Sequence, residues 1–477
     1  MGQRLAVSCV LLLACGCGSH QASAGGATGA AGAPALGGAP AVGAGGTASG
    51  GSASGAPSAL AGAPTMATAG AGGQSAAGAA GAAAGGTPGA ADAGTNAGGG
   101  ANAGNANTGG SAGAGGARAL DATCGGMNAS AMNLKDKYAG CFPIGAAVDA
   151  QSYMTHAPLL KAHFNSVTAE NDMKFDALEP NENSFSYAAA DKIVDFARSN
   201  NMKIRGHTLV WYNQNPAWVF SNGSGGTVSK DTLLGRMKNH IKNVVQHYQG
   251  KLYAWDVVNE AIMEDGSYRS GTLADDKKSR WYEIIGPSYI AEAFRAAHDA
   301  DPNAKLFYND YYDYIPAKQQ GIYNMLKGLL ADGVPVHGVG MQCHLNIEPS
   351  TKMDNQAYYQ SVENLEKAIE LYSSLGLEVQ VTELDVSLYV PGVSYDQSTY
   401  YTAATFTDAL EAQQASRYQA FFQLLRRHRD VISGVTLWGI ADDNTWLSEF
   451  SSGRKDFPLL FDTNHQPKKA FDAVMNF

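Results

Sequence analysis

LYAWDVVNE, residues Leu252–Glu260, reads as a short strand of aromatic and β-branched residues that ends on an asparagine and a glutamate. Seven more segments rich in β-branched and aliphatic residues occur along the chain: Pro143–Asp149, Ser166–Asn171, Lys203–Trp211, Lys305–Tyr311, Gly338–His344, Glu378–Val386 and Ser433–Gly439. Stretches with helical periodicity separate them: Ala188–Asn200, Leu233–Tyr248, Ser288–Ala300, Pro316–Ala331, Asn355–Leu375 and Ala415–Arg429. This alternation predicts an α/β fold, a parallel (β/α)8 TIM barrel with an outer ring of helices.

Nearly every predicted strand ends on polar or aromatic side chains that do not suit a core. Asn259 and Glu260 end the fourth strand, and Glu383 and Asp385 lie at the end of the seventh. The other strands end on Glu170 and Asn171, His207 and Trp211, Asn309 to Tyr311, Gln342 and His344, and Trp438. The carboxyl ends of barrel strands share one face, where active sites are built. The sequence therefore predicts a polar cleft on that face.

Two of these residues, Glu260 and Glu383, predict acid–base chemistry on a glycoside. Cleavage of a glycosidic bond needs two carboxyl groups that flank it, one protonated and one ionised. Amides and imidazoles nearby suit sugar hydroxyls, and tryptophans offer flat apolar faces for pyranose rings. The tryptophans in question are Trp211, Trp438 and Trp446. The combination indicates a cleft for an oligosaccharide.

The chain before this domain has a different composition. Of the 57 glycines in the whole protein, most precede Arg118. Residues 19–117 contain almost no charge and no aromatic side chain. Such a segment cannot bury enough apolar surface to repay its ordering entropy. We therefore expect a long disordered, low-complexity tether over residues 19–119 and the catalytic barrel over residues 120–477.

The N-terminus predicts export. Residues 1–18 combine one early positive charge with a short apolar stretch, which is typical of a signal peptide. Leu12-Leu13-Ala14-Cys15 resembles a bacterial lipobox, with Cys15 the expected lipidated residue and Cys17 the second choice; an ordinary signal peptide is the alternative. The prediction is a lipoprotein of the cell surface or outer membrane, or a secreted protein, that touches a membrane only through this anchor.

The remaining cysteines and the net charge narrow the class of protein. Cys124 and Cys141 are candidates for a disulfide, and Cys343 reads as a buried free thiol. No CxxC or HExxH pattern is present, so we expect neither a catalytic metal nor a cofactor. A net charge of -10 argues against nucleic-acid binding. We expect a monomer.

The motifs resemble family-10 glycoside hydrolases, the xylanase family. Four stretches carry the resemblance: Phe164–Lys174 (FNSVTAENDMK), Gly206–Trp218 (GHTLVWYNQNPAW), Trp255–Ala261 (WDVVNEA) and Val381–Asp385 (VTELD). YNDY, GMQCH and TLWG support it at Tyr308–Tyr311, Gly340–His344 and Thr436–Gly439. The resemblance covers Cys141–Phe477 in the family's order. It implies a retaining endo-β-1,4-xylanase that acts on xylan or xylo-oligosaccharides without a cofactor.

The resemblance also implies roles for the matching residues. Glu260 would be the acid/base and Glu383 the nucleophile, with His344 orienting Glu383. Three residues would line the subsite at the cleavage point: Asn259, which bonds the 2-hydroxyl, His207 and Gln342. The next sugar on the non-reducing side would contact Glu170, Asn171, Lys174 and Gln214. The hydrophobic walls would be Trp211, Trp438 and Trp446, and Tyr311 would be a further contact.

One departure from the family and two alternatives bear on these expectations. Tyr212-Asn213 stand where the family commonly has His-Ser, which puts subsite preference, but not chemistry, in question. A β-1,4-glucanase of a related barrel family is one alternative. A non-catalytic surface protein that binds plant-wall glycans is the other, and the presence of both glutamates argues against it.

Overall fold

A computed structural model describes residues 132–274, 277–347, 360–389, 402, 405–450 and 454–477. The predicted leader and tether, with Cys15 and Cys17, lie outside the described residues, and so does Cys124. Cys141 is disulfide-bonded, and its pairing with Cys124 stays a prediction. Cys343 is buried and free, as predicted.

The strands form one parallel sheet that closes on itself. Their bounds are β1 Ile144–Val148, β2 Ser166–Ala169, β3 Lys203–Gly206, β4 Val210–Trp211, β5 Ala254–Asn259, β6 Lys305–Asp310, β7 Gly338–Met341, β8 His344–Asn346, β9 Glu378–Ser387 and β10 Ile432–Leu437. The order around the sheet is β10-β1-β2-β3-β5-β6-β7-β9, and pairing of β10 with β9 closes the ring. Since β4 continues β3 and β8 continues β7, the result is a closed eight-stranded barrel, which confirms the predicted fold.

The helices lie between the strands, as a (β/α)8 barrel requires. Their bounds are α1 Leu134–Lys137, α2 Ser152–Thr155, α3 Ala157–His163, α4 Phe175–Leu178, α5 Ala188–Ser199, α6 Lys230–His247, α7 Arg280–Ile285, α8 Ser288–Ala300, α9 Pro316–Ala331, α10 Val362–Ser373, α11 Asp408–Arg427, α12 Trp446–Phe450 and α13 Lys469–Met475, with a 3-10 turn at Ala217–Phe220. In α5 the buried side chains fall on one face, at helical spacing: Ala190, Ile193, Val194 and Ala197. None of the helices in the described ranges is long and apolar enough to cross a lipid bilayer.

Two predicted strands are interrupted where they reach the cleft. The predicted strand Lys203–Trp211 breaks between β3 and β4, and Gly338–His344 breaks between β7 and β8. At the second break Cys343 has a φ of 59°, outside the extended region. Local apolar pattern does not reveal such breaks, because tertiary contacts of the polar residues set them. The breaks redirect His207 and Gln342 toward neighbouring strands.

A buried charged layer lies beneath the cleft and supports it. Arg205 donates from Nε to Asp256 Oδ2 at 3.1 Å and from one terminal nitrogen to Gln380 Oε1 at 2.7 Å. Asp256 Oδ2 also bonds His207 Nδ1 at 3.0 Å. Although burial alone would raise the pKa of Asp256, the Arg205 guanidinium and His207 lower it. The layer therefore fixes the imidazole of His207 from below.

Candidate active site

Glu260 follows the last residue of β5 and has a φ of 59°, an uncommon conformation for a residue with a side chain. The residue is 6% exposed, and its carboxyl accepts hydrogen bonds at Oε1 from Gln342 Nε2 at 2.9 Å and Asn259 Nδ2 at 3.1 Å. Arg269 Nε donates to the carbonyl oxygen of Glu260 at 2.9 Å, which supports this backbone conformation. Burial raises the pKa of Glu260, against the opposing charge of Arg269. A carboxyl in this state holds its proton to higher pH.

Glu383 lies within β9. The strand continues beyond Glu383 because its C-terminal part pairs with β8, where His344 lies opposite Asp385. Glu383 Oε1 accepts from Asn309 Nδ2 at 2.8 Å, and its Oε2 lies 3.2 Å from His344 Nε2. Burial alone would raise the pKa of Glu383, but the His344 hydrogen bond, the His207 and His344 charges and the Asn309 amide lower it. This carboxyl is therefore ionised at neutral pH.

His344 connects Glu383 to Asp385. Its Nδ1 lies 2.9 Å from Asp385 Oδ2, while its Nε2 faces Glu383. Burial would lower the pKa of His344, but the Asp385 carboxylate and Glu383 outweigh burial and raise it to about 10. At neutral pH the ring is an imidazolium that donates from both nitrogens. Asp385 holds this ring, although the sequence predicted it only as a polar residue at a strand end.

Asn309 joins the two halves of the site and was not among the predicted site residues. Its Nδ2 donates to Asn259 Oδ1 at 2.9 Å as well as to Glu383, and its Oδ1 accepts from Thr382 Oγ1 at 2.6 Å. The side chain is fully buried. Its position at a strand end was visible in the sequence, but nothing local indicates that it reaches both neighbouring strands.

Four predicted sugar contacts, contributed by the connections after β2 and β4, lie together on one side of the cleft. Lys174 Nζ donates to Asn171 Oδ1 at 2.9 Å and to Gln214 Oε1 at 2.7 Å. Asn171 Nδ2 in turn donates to Glu170 Oε1 at 3.3 Å. Burial lowers the pKa of Lys174, and the charge of Glu170 partly offsets this. The four side chains form one polar patch that presents both donors and acceptors.

The three predicted tryptophans border the same region. Trp438 stands edge-on to His207, with ring centroids 5.3 Å apart. Trp446 lies 4.8 Å from the His344 ring, and its Nε1 donates to Asp385 Oδ2 at 2.9 Å. The ring of Trp211 lies 4.8 Å from Lys174 Nζ. The structure therefore brings the aromatic walls and the polar residues into one cleft.

Arg269, a second residue that sequence reasoning missed, links Glu260 to Tyr311. Its terminal nitrogen donates to Tyr311 Oη at 2.8 Å, and its guanidinium lies 3.9 Å from the ring centroid of Tyr212. Tyr311 Oη donates to Glu264 Oε1 at 3.1 Å. Tyr311 thus reaches the Glu260 side of the site through Arg269, and Tyr212 packs on the same guanidinium.

The two carboxyl groups have the electrostatic states that glycoside cleavage requires. Glu260 is the carboxyl whose pKa is raised, and Glu383 is the one whose pKa is lowered. Asn259 and Asn309 form a hydrogen-bonded bridge between them. A pair of carboxyls whose surroundings push their pKa values apart supplies an acid and an anion in one site.

Comparison with known proteins gives a consistent result. Residues 133–477 match the model of glycosyl hydrolase family 10. Endo-1,4-beta-xylanase B of Paenibacillus barcinonensis is 45% identical over 350 residues, which are 73% of this chain and 99% of that protein. An endo-1,4-beta-xylanase of Geobacillus stearothermophilus is 44% identical over 353 residues, 73% of this chain and 100% of that protein.

Solved structures agree with the sequence relatives. The crystal structure of the xylanase XynB from Paenibacillus barcinonensis, complexed with a conduramine derivative, has a TM-score of 0.66 and 44% identity. It aligns with 72% of this chain and 98% of that chain. The family model covers the whole barrel, and both sequence relatives align over almost their full length. The chain therefore belongs to glycosyl hydrolase family 10.

Proposed function

We propose that this chain hydrolyses internal β-1,4-xylosidic bonds of xylan with retention of configuration. The proposal rests on two buried carboxyl groups whose pKa values are shifted in opposite directions, that of Glu260 upward and that of Glu383 downward. Asn259 and Asn309, which are hydrogen-bonded to each other, connect the two groups. Support for the substrate comes from relatives that are named endo-1,4-beta-xylanases and whose length this chain spans. A related solved structure, 42% identical to this chain, is a complex with xylotriose.

The reaction proceeds in two displacements. The Glu383 carboxylate attacks the anomeric carbon while Glu260 gives its proton to the leaving glycosidic oxygen, so that a glycosyl-enzyme ester forms. Glu260, now a carboxylate, takes a proton from water, and the water oxygen displaces Glu383 from the anomeric carbon. His344 and Asn309 hold the Glu383 carboxylate, since they hydrogen bond to its two separate oxygens. Retention follows from the two inversions.

The four polar residues beside the nucleophile bind the sugar on the non-reducing side. The Glu170–Asn171–Lys174–Gln214 patch offers an ammonium, two amides and a carboxyl to ring hydroxyls. Asn259 faces the 2-hydroxyl of the sugar under attack. Trp211, Trp438 and Trp446 supply the apolar faces, and Tyr311 supports the acid/base side through Arg269.

The substrate test is initial reducing-sugar release on xylan and on soluble cellulose, measured side by side with the same enzyme. We expect strong release from xylan and little from cellulose. Comparable or greater release from cellulose would identify a β-1,4-glucanase that uses the same carboxyl pair. No release from either polymer would favour a glycan-binding protein.

The chemistry is tested by replacing each carboxyl in turn. Glu383→Ala should nearly abolish turnover, and wild-type rates in this variant would exclude Glu383 as the nucleophile. On an aryl xyloside whose leaving group needs no proton, Glu260→Ala should retain a fast first displacement, seen as a burst of released aryl alcohol, while hydrolysis of the glycosyl-enzyme slows because its base is missing. The first-formed sugar should have the β configuration by NMR. We expect the carboxyl groups to be about 5–5.5 Å apart, the spacing of retaining enzymes.

We further propose that the enzyme is exported and tethered. Residues 1–18 act as a signal peptide whose lipobox places a lipid on Cys15, or on Cys17, and residues 19–119 form a flexible Gly/Ala-rich tether. The support is the composition and the LLAC pattern of the sequence. Mass spectrometry of the mature N-terminal peptide, with Cys15→Ser and Cys17→Ser variants, identifies the modified residue. An unmodified N-terminus on a secreted protein would refute the anchor.

A further inference from the structure

Three side chains outside the cleft converge on one point. His156 follows the short helix after β1, Asp443 lies in the connection after β10, and His465 lies in a turn near the C-terminus. His156 Nε2 is 3.2 Å from Asp443 Oδ1, and His465 Nε2 is 3.2 Å from Asp443 Oδ2. One nitrogen or oxygen atom from each of the three lies within 4.8 Å of the others.

The spacing of these atoms suits a zinc ion. Zinc takes histidine nitrogens and carboxylate oxygens at about 2.0–2.2 Å in a tetrahedron, which places neighbouring ligand atoms about 3.3 Å apart. Each histidine Nε2 lies 3.2 Å from one Asp443 oxygen, Oδ1 for His156 and Oδ2 for His465, so the carboxylate must turn before a single oxygen neighbours both nitrogens at this distance. The two imidazole rings are tilted by 43° with their centroids 4.4 Å apart, and the three ligand atoms lie within 4.8 Å of one another, so side-chain rotations alone have to bring them to the coordination distance.

The surroundings of His156 prepare its Nε2 as a ligand. Thr155 Oγ1 lies 2.9 Å from His156 Nδ1 and 3.4 Å from the carbonyl oxygen of Gln151. A hydroxyl that donates to the carbonyl can accept a hydrogen bond from Nδ1–H, so that Nε2, which donates to Asp443 when no ion is bound, can give up its proton and offer its lone pair to a zinc ion. Histidines that bind metals commonly donate their other ring N–H to such a partner. His156 is 5% exposed, so its ring is held in this position.

His465 is presented by a tight turn. Asp462 Oδ1 accepts the backbone N–H groups of Asn464 and Gln466, both at 2.8 Å, and Phe461 pairs with Pro467 across the turn. The side chains of His465 and Asp443 are each 37% exposed. An ion can therefore reach both side chains directly from solvent.

A second group of possible ligands provides a contrast. Glu366, Glu370 and His428 also bring their ligand atoms within 4.8 Å of one another. There, however, Arg427 already contacts Glu366 Oε1 at 3.3 Å, and its charge repels a dication. Among the lysines and arginines that the structure describes, none forms an ion pair with Asp443. Charge therefore favours the first group.

We propose that His156, Asp443 and His465 bind a zinc ion, with water completing the coordination shell. The ion ties the connection after β1 to the connection after β10. The second of these connections leads into Trp446, so the site anchors the segment that carries one wall of the cleft. The reaction itself uses none of the three residues.

The test uses the purified full chain after removal of metals with a chelator. Zinc chloride is titrated in a calorimeter, and cobalt chloride is added in a parallel sample because tetrahedral Co²⁺ absorbs visible light. At a free zinc concentration a hundredfold above Kd, we expect the Tm of the roughly 350-residue barrel to rise by about 4 °C. His465→Asn and Asp443→Asn should each abolish the rise and the cobalt band.

Two choices keep this test decisive. Asparagine suits position 465 because the backbone there has a φ of 62°, which asparagine tolerates. His428→Asn, in the second group, is the matched control and should bind zinc like the unaltered chain. The proposal fails if the unaltered chain shows neither heat nor a Tm shift. It also fails if the 465 and 443 variants bind as the unaltered chain does, or if His428→Asn alone removes binding.

Discussion

Replacing Asn309 with alanine should change the pH dependence of the enzyme more than its fold. The amide donates to the ionised Glu383 at 2.8 Å in a fully buried position. A hydrogen bond to a charged group contributes about 1.5–3 kcal/mol. Because one pKa unit corresponds to about 1.36 kcal/mol, losing this bond should raise the pKa of Glu383 by about 1–2 units.

The direction of the effect on activity follows from the state that Glu383 needs. Its pKa is lowered in the folded protein, and the proposed mechanism needs the ionised form as the nucleophile. Raising that pKa therefore removes activity from the acidic side first. The acid limb of the profile of kcat/KM against pH should move up by about 1–2 units in Asn309→Ala, while the basic limb, set by Glu260, moves less.

A second variant reaches the same amide from another residue. A Cβ added at Gly340 would lie 2.2 Å from Asn309 Oδ1, so Gly340→Ala should push the amide aside and shift the acid limb in the same direction. Thr382→Val, which removes only the 2.6 Å bond to Asn309 Oδ1, should shift it less. An unchanged acid limb in Asn309→Ala, with kcat lowered equally at every pH, would refute the reasoning.

Three further outcomes are expected. Arg269→Met removes the charge that opposes the raised pKa of Glu260, so the basic limb of kcat/KM should move to higher pH; a shift to lower pH would contradict this assignment. His344→Asn removes a charged donor to the nucleophile, at a cost of about 2–3 kcal/mol, and should lower kcat/KM about 30- to 160-fold in steady-state assays. Gly206→Ala places a Cβ 2.1 Å from a buried tryptophan ring and should lower the free energy of unfolding in urea by about 1–3 kcal/mol or more. Gly235→Ala, on an exposed helical position with open space around it, is its control and should raise that free energy by about 0.5–1 kcal/mol.

The barrel was predictable from sequence because it depends on local patterns. Each strand is a short apolar run, and the helices between strands have clear periodicity, so their order follows without knowledge of contacts. Helices α8 and α9 begin and end where the pattern predicts them, at Ser288–Ala300 and Pro316–Ala331. Helix α11 instead begins at Asp408, earlier than the predicted Ala415, because Thr407 caps it through a bond from the Leu410 N–H.

The candidate site was only partly predictable, for a physical reason. The two glutamates stand out because burying a charged group at a strand end is costly unless it is paired or used. Asn309 donates to Glu383, 74 positions away in the chain, and Arg269 donates to Tyr311, 42 positions away, and no local pattern reports such pairs. The cysteine pairing and the leader stay predictions, since Cys124 and the first residues lie outside the described part.

Asp385 Oδ2 accepts hydrogen bonds from both His344 Nδ1 and Trp446 Nε1. This shared acceptor limits how the enzyme can be redesigned. A wall that only packed against sugar rings would tolerate phenylalanine in place of tryptophan. Here that exchange would also remove an N–H donor from a buried carboxylate, making it a stronger partner for the imidazolium that tunes the nucleophile. Evolving this cleft toward bulkier polymers is therefore a coupled problem, in which a change of wall shape carries a change of reactivity unless the replacement keeps a donor at that oxygen.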